Sequence, residues 1–115
     1  MLSGEPEKKE FPIHWISKDA RYKVIEFMLS TRSVTELARQ LGVSPTAVRK
    51  YIKRLSHPSD EVLERAIKSL APYEMEPILE IITDDLATAI RKLYAAVDDN
   101  YKETIRRKLR EIIGL

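Results

Sequence analysis

"LARQLGVSPTAVRKYIKR", residues 37–54, is the stretch that decides the fold of this chain. Gly42 interrupts a helical pattern of apolar residues, and the pair Ser44 and Pro45 restarts it. Glycine ends a helix readily because it adopts the left-handed conformation, whereas serine caps a new helix and proline fits its first turn. The stretch therefore predicts two short helices, 34–41 and 45–55, joined by a tight turn.

The second of these helices has two unlike faces. At 100° per residue, Val48, Ile52 and Leu55 fall within about one third of a turn, with Ala47 and Tyr51 on one flank. The opposite side carries only polar and cationic residues: Thr46, Arg49, Lys50, Lys53 and Arg54. We therefore expect this helix to be half core and half a positive, hydrogen-bonding surface.

Capping residues place the helices on either side of this stretch. Ser17 predicts a helix to about residue 30, and Ser33 with Glu36 matches a capping box that opens the helix over 34–41. Ser59 predicts a fourth helix. Prolines 72 and 77 bracket the start of a fifth helix, and Asn100 with Glu103 predicts a second capping box that opens a sixth.

The last two predicted helices have apolar residues at helical spacing. In the fifth helix these are Ile78, Ile82, Leu86, Ile90, Leu93 and Val97. In the sixth helix we expect them to point inward, and they are Tyr101, Ile105, Leu109 and Ile112. No alternating strand pattern occurs, so the sequence predicts an all-α protein of about six helices. We expect a disordered tail over residues 1–10, a folded domain over 11–71 and a helical hairpin over 72–115 that mediates self-association.

Composition limits the classes to which this chain can belong. Its 115 residues suit one domain, and the absence of cysteine excludes a disulfide framework and a thiolate metal site. No apolar run is long enough for a membrane span or a signal peptide, so we expect a soluble, cytoplasmic protein. One third of the residues are charged and side-chain amides are rare, a composition typical of heat-adapted proteins.

Charge is segregated along the chain. Residues 1–55 carry a net charge of +5, residues 56–100 carry −6, and residues 101–115 carry +3. Such segregation favours binding to charged partners through one part of the molecule.

The stretch resembles a helix-turn-helix. Ala38 stands where two helices cross, Gly42 follows at the turn, and apolar Val48 lies six residues further on. A helix before the motif and a further helix after it make the domain similar to the lambda-repressor-like type, whereas a winged domain would need a β-hairpin. The resemblance implies a sequence-specific double-stranded DNA-binding protein that regulates transcription, with the helix over 45–55 in the major groove.

The resemblance also implies roles for individual residues. Base-reading candidates are Thr46, Arg49, Lys50 and Lys53. Phosphate-binding candidates are Arg32, Ser33, Thr35, Ser44 and Arg54. Because regulators of this kind bind two half-sites as twofold dimers, we expect a homodimer through the fifth and sixth helices.

Two alternatives remain open. The phrase "LSHPSDEVLERAIKSL" after the recognition helix is loosely similar to the DNA-binding module of archaeal viral and plasmid integrases of the tyrosine recombinase family. The chain would then be a module of a recombination system, although nothing here supplies the catalytic residues of such an enzyme. The second alternative is a helical protein-interaction adaptor that has kept the fold without the nucleic-acid role.

Catalytic chemistry and metal binding are not expected. His14 and His57 lie on separate segments without carboxylates at ligand spacing, and no nucleophile elbow or glycine-rich phosphate loop is present. We expect no enzyme activity, no cofactor and no metal.

Overall fold

The computed structural model describes residues 10–115, which form an all-α fold without strands. A 3-10 turn, Ile13–Trp15, precedes six helices: α1 Lys18–Met28, α2 Val34–Leu41, α3 Pro45–Ile52, α4 Asp60–Lys68, α5 Pro72–Ala96 and α6 Asp99–Ile113. The predicted fold class is therefore confirmed. The predicted disordered tail lies outside the described residues, except for Glu10.

Serine side chains begin the first four helices as predicted. The hydroxyl oxygens of Ser17, Ser33, Ser44 and Ser59 each accept a hydrogen bond from the backbone amide three residues later, at 3.1–3.2 Å. Each such cap stabilises its helix by about 1 kcal/mol. The predicted capping box at Ser33 forms only in part, because the Glu36 carboxylate pairs with Arg39 instead of the cap amide.

The last two helices begin differently from the prediction. Asp98, not Asn100, caps α6, because its carboxylate accepts the Tyr101 amide at 2.9 Å. Helix α5 starts at Pro72 and continues through Pro77, so the second proline lies inside the helix instead of opening it. The Glu74 carboxylate accepts the Ala71 amide at 2.9 Å and stabilises this start.

One hydrophobic core joins the first four helices to the beginning of α5. Its buried residues include Val24 and Met28 from α1, Leu37 from α2 and Leu63 from α4. Helix α5 contributes Ile78 and Ile82 and packs against α1. The core therefore extends past residue 71, where the sequence predicted a domain boundary.

Arg21 is a buried arginine that ties the entrance of α1 to the start of α4. Its guanidinium donates to the carbonyl oxygens of Ile13, Ile16 and Pro58 at 2.9–3.0 Å and to the Asp60 carboxylate at 2.8 Å. The Arg21 side chain itself is only 6% exposed. The sequence had given no sign that this arginine lies inside.

The second half of α5 and all of α6 form an arm that extends from the core. The radius of gyration is 17.2 Å, whereas a compact domain of this length has about 13 Å. Within the arm, Ile105 is buried, and Lys102 and Arg106 lie over the Tyr94 ring at 5.4 Å. Tyr101 and Ile112, predicted to point inward, are exposed in the single chain.

Candidate nucleic-acid interface

The turn between α2 and α3 has the conformation that its glycine predicts. Gly42 has φ +69°. The Val43 amide donates to the Ala38 carbonyl at 3.0 Å, and the Gly42 amide donates to the Arg39 carbonyl at 3.3 Å. These two bonds satisfy carbonyls that the end of α2 would otherwise leave unpaired. A residue with a Cβ would be strained at this φ, so glycine sets the angle between the two helices.

Arg65 of α4 stabilises this turn from outside. Its guanidinium donates to the Leu41 carbonyl at 2.9 Å and lies 3.4 Å from the point that a Cβ on Gly42 would occupy. A cation at a helix C-terminus is favourable because the unpaired carbonyls there carry partial negative charge. Since Arg65 lies 24 residues from its acceptor, no local sequence signal could have identified this role.

Ala38 and Val48 occupy the crossing of α2 and α3, as the resemblance implies. Both are buried, Ala38 to 2% exposure and Val48 to 0%. The inner face of α3 differs from the prediction, because Tyr51 is buried at 7% exposure whereas Ile52 is 42% and Leu55 72% exposed. The buried side is thus centred between Val48 and Tyr51, where α1 and α2 cover the helix.

Helix α3 is shorter than predicted, because it ends at Ile52 and not at Leu55. Arg54 adopts φ +59°, the one non-glycine residue with positive φ among the described residues. The Leu55 amide then donates to the Lys50 carbonyl at 2.9 Å, and the Arg54 amide donates to the Tyr51 carbonyl at 3.0 Å. This pair of bonds is the Schellman motif that usually has glycine at the left-handed position.

The Arg54 side chain is directed to α1. Its guanidinium donates to the carboxylates of Asp19 at 3.2 Å and Glu26 at 3.3 Å, and it lies 4.9 Å from the centre of the Tyr22 ring. Hydrogen bonds to Glu26 and Asp19 raise the pKa of Arg54 above its ordinary value. Arg54, predicted to bind phosphate, is a brace between α1 and the end of α3 in the structure, and its side chain is 45% exposed.

Arg32 is also engaged within the fold. Its guanidinium donates to Glu74 of α5 at 2.7 Å and to the Met28 carbonyl at 3.2 Å, and its side chain is 10% exposed. Glu74 is fully buried and also accepts from Thr31 at 2.8 Å. The structure thus places Arg32, a predicted phosphate contact, in a largely buried ion pair with Glu74.

The ionic state of Glu74 depends on these partners. Burial by itself raises the pKa of Glu74, but the hydrogen bonds from Arg32, the Ala71 amide and Thr31 outweigh it, and the pKa lies below its ordinary value. The carboxylate is thus charged at neutral pH, as its pairing with an arginine requires.

The four base-reading candidates form one exposed surface along α3 and its C-terminal capping residue, which we call the outer face of α3: Thr46, Arg49, Lys50 and Lys53. Among residues 10–115, no carboxylate lies within 4 Å of the cationic groups of Arg49, Lys50 or Lys53. The neighbouring cations Arg39 on α2 and Lys23 on α1, by contrast, pair with acids of their own helices. The outer face is therefore a cationic surface without internal compensation from the described part of the chain.

The remaining phosphate candidates lie at the starts of the two motif helices. Ser33, Thr35 and Ser44 are exposed. The oxygens of Ser33 and Ser44 accept amides of their own helices, so each hydroxyl hydrogen can still be donated to a phosphate oxygen. Amides at the N-terminus of a helix also favour anions.

The described residues contain neither a metal-ligand cluster nor a membrane-spanning helix. No group of three or more potential ligand side chains is arranged around a common point within residues 10–115. No helix of the described chain has the length and apolar character needed to cross a bilayer.

A family model described as "Helix-turn-helix domain" matches residues 20–57, about a third of the chain. Comparisons with curated proteins and with solved structures gave no match. The matched segment runs from the start of α1 to the loop after α3 and contains the turn at Gly42 and the whole outer face. The chain therefore carries a helix-turn-helix domain, and that domain supports DNA binding.

Proposed function

We propose that this protein is a sequence-specific double-stranded DNA-binding regulator of transcription, with α3 in the major groove. The observation that carries the proposal is the outer face of α3, where Arg49, Lys50 and Lys53 are exposed and uncompensated within the described residues. A groove-reading helix needs this arrangement, since phosphates and base edges supply the negative charge and the hydrogen-bond acceptors. The proposal assigns binding and no catalysis to the chain.

The bracing of α3 supports the same function. Arg65 fixes the turn before the helix, and Arg54 fixes its end against α1. A rigidly held helix places its side chains at the same base edges in every complex, and sequence-specific hydrogen bonds require such placement. Two arginines of this small domain, Arg54 and Arg65, are thus used to orient α3.

The order of the helices supports a lambda-repressor-like organisation over a winged one. Helix α1 precedes the motif, α4 follows it after a short loop, and residues 53–59 form that loop without any strand. A wing would require a β-hairpin at this position.

We further propose that two copies associate through the C-terminal arm. Ile90, Leu93 and Tyr101 are exposed there at 39%, 54% and 51%, and Ile112 is exposed at 77%. Ile90 and Leu93 continue the apolar spacing that packs the first half of α5 into the core, whereas Tyr101 and Ile112 lie on α6. In a single chain all four side chains are exposed. A twofold dimer would cover them and would present two outer faces to two half-sites.

Selection of duplex DNA from a random pool, with light scattering on the same sample, tests the proposal. The expected result is a twofold-symmetric site with half-sites about 10 base pairs apart, bound by a dimer with an affinity that falls steeply as salt rises. An asymmetric site bound by a monomer would contradict the dimer and favour the integrase-like module. Failure to enrich any sequence would contradict the regulator and favour the protein-interaction adaptor.

A further inference from the structure

One aliphatic side chain lies beside the outer face of α3. Ile52 is 42% exposed, whereas Val48 and Tyr51 of the same helix are buried. Burial in the core therefore does not account for isoleucine at this position. Helix propensity does not account for it either, because a β-branched residue is a poorer helix former than leucine, lysine or glutamate.

The place of Ile52 on α3 follows from its neighbours within the helix. At 100° per residue, Ile52 stands about 40° from the direction of Val48 and about 60° from that of Arg49. Val48 is fully buried and Arg49 is exposed. Ile52 therefore lies between the buried side of α3 and the outer face, and it adjoins Arg49, one of the base-reading candidates.

The major groove presents one apolar group to a protein, the C5-methyl group of thymine. We infer that Ile52 is a specificity-determining residue that packs against a thymine methyl group next to the base read by Arg49. This inference rests on the proposed function, since it requires that α3 enter the major groove. Covering one methyl group is worth about fourfold in affinity, the equivalent of about 0.8 kcal/mol for a buried methylene.

Replacement of thymine by deoxyuridine in the selected duplex tests the inference, because it removes only the C5-methyl group. Each thymine is replaced in turn, together with its symmetry-related partner where the site is twofold. With the wild-type protein we expect the dissociation constant to rise about fourfold per methyl group at one position. With Ile52→Ala, the thymine and deoxyuridine duplexes should bind equally at that position, and both should bind about as weakly as wild type on deoxyuridine.

Leu55→Ala is the matched control, since Leu55 is an exposed aliphatic residue just past the end of the same helix. It should keep the methyl dependence of the wild type. The inference is overturned if the selected duplex binds but no thymine is methyl-sensitive, or if Ile52→Ala retains the sensitivity; DNA binding itself would then still stand. Failure to select any duplex overturns the proposed function and the inference together.

Discussion

At the scale of single residues, three arginines near the motif have three different roles. Arg49 is exposed on the outer face, Arg54 joins the end of α3 to α1, and Arg32 is buried against Glu74. All three are followed or preceded by polar residues, and their side chains are chemically identical. Arg54 and Arg32 differ from Arg49 because each pairs with a carboxylate that is distant in sequence, 28 residues away for Arg54 and 42 for Arg32. Only the folded chain reveals these partners.

The Arg32–Glu74 pair predicts a specific dependence of stability on pH. Because the pKa of Glu74 is lowered in the folded state, the unfolded chain binds the proton first as pH falls. The stabilisation by the ionised pair is therefore fully present above the ordinary carboxyl pKa and is lost as pH falls from there through the lowered pKa of the folded state. Glu74→Gln should lower the free energy of unfolding by about 3 kcal/mol at pH 7, since it leaves Arg32 without its counter-charge.

Urea unfolding of wild type and Glu74→Gln from pH 7 to pH 3 measures this dependence. The difference between the two should be largest at neutral pH and should shrink as pH falls below about 4.5, through the lowered pKa of Glu74. The other carboxylates with lowered pKa values are present in both proteins, so their effects cancel. A difference that stays constant or grows toward low pH would show that Glu74 is not the ionised partner of Arg32.

At the scale of helices, the beginnings were largely predictable and one important end was not. Ser33, Ser44 and Gly42 act within three to five residues of their own position, so the bounds of α2 and the start of α3 follow from local sequence. The predicted end of α3 was three residues too late, because Arg54 adopts a left-handed conformation that is unfavourable for a residue other than glycine. Its contacts with α1 compensate for that conformation.

Replacement of Arg54 separates the backbone conformation from the side-chain contacts. Arg54→Gly and Arg54→Ala both lose the contacts with Asp19, Glu26 and Tyr22, but only alanine keeps a Cβ at φ +59°. We therefore expect the alanine variant to unfold with a free energy about 1 kcal/mol below that of the glycine variant. Equal stabilities in thermal or urea unfolding would mean that residue 54 does not hold the left-handed conformation.

At the scale of the whole molecule, the sequence predicted the elements better than their arrangement. The helical wheel placed Ile52 and Leu55 inside, because it contains no information on where α1 and α2 cover α3. Likewise, apolar spacing predicted an inward face for α6, yet only Ile105 is buried there. Periodicity shows which residues share a face, but the covering partner is a property of the assembled fold or of a second chain.

If two copies associate through the arm, a single charged substitution on the arm should dissociate the dimer. Leu93→Glu places a charge on the exposed stripe of α5 outside the core, so the dimer should dissociate while the helix content stays unchanged. Light scattering should give one chain mass for this variant and two for wild type at the same concentration. Leu79→Glu, at a half-exposed leucine nearer the core on the same helix, should remain dimeric; a dimeric Leu93→Glu would contradict an interface on the arm.

The most direct test of the account is the affinity of Arg49→Ala for the selected duplex over a range of salt concentrations. If the outer face reads DNA, this variant should bind about 5-fold to 150-fold more weakly, the equivalent of roughly 1 to 3 kcal/mol, and lose discrimination at one base pair. Arg91→Ala removes the same side chain from α5 and should bind as wild type. Unchanged affinity and specificity of Arg49→Ala would contradict the assignment of α3 to the major groove.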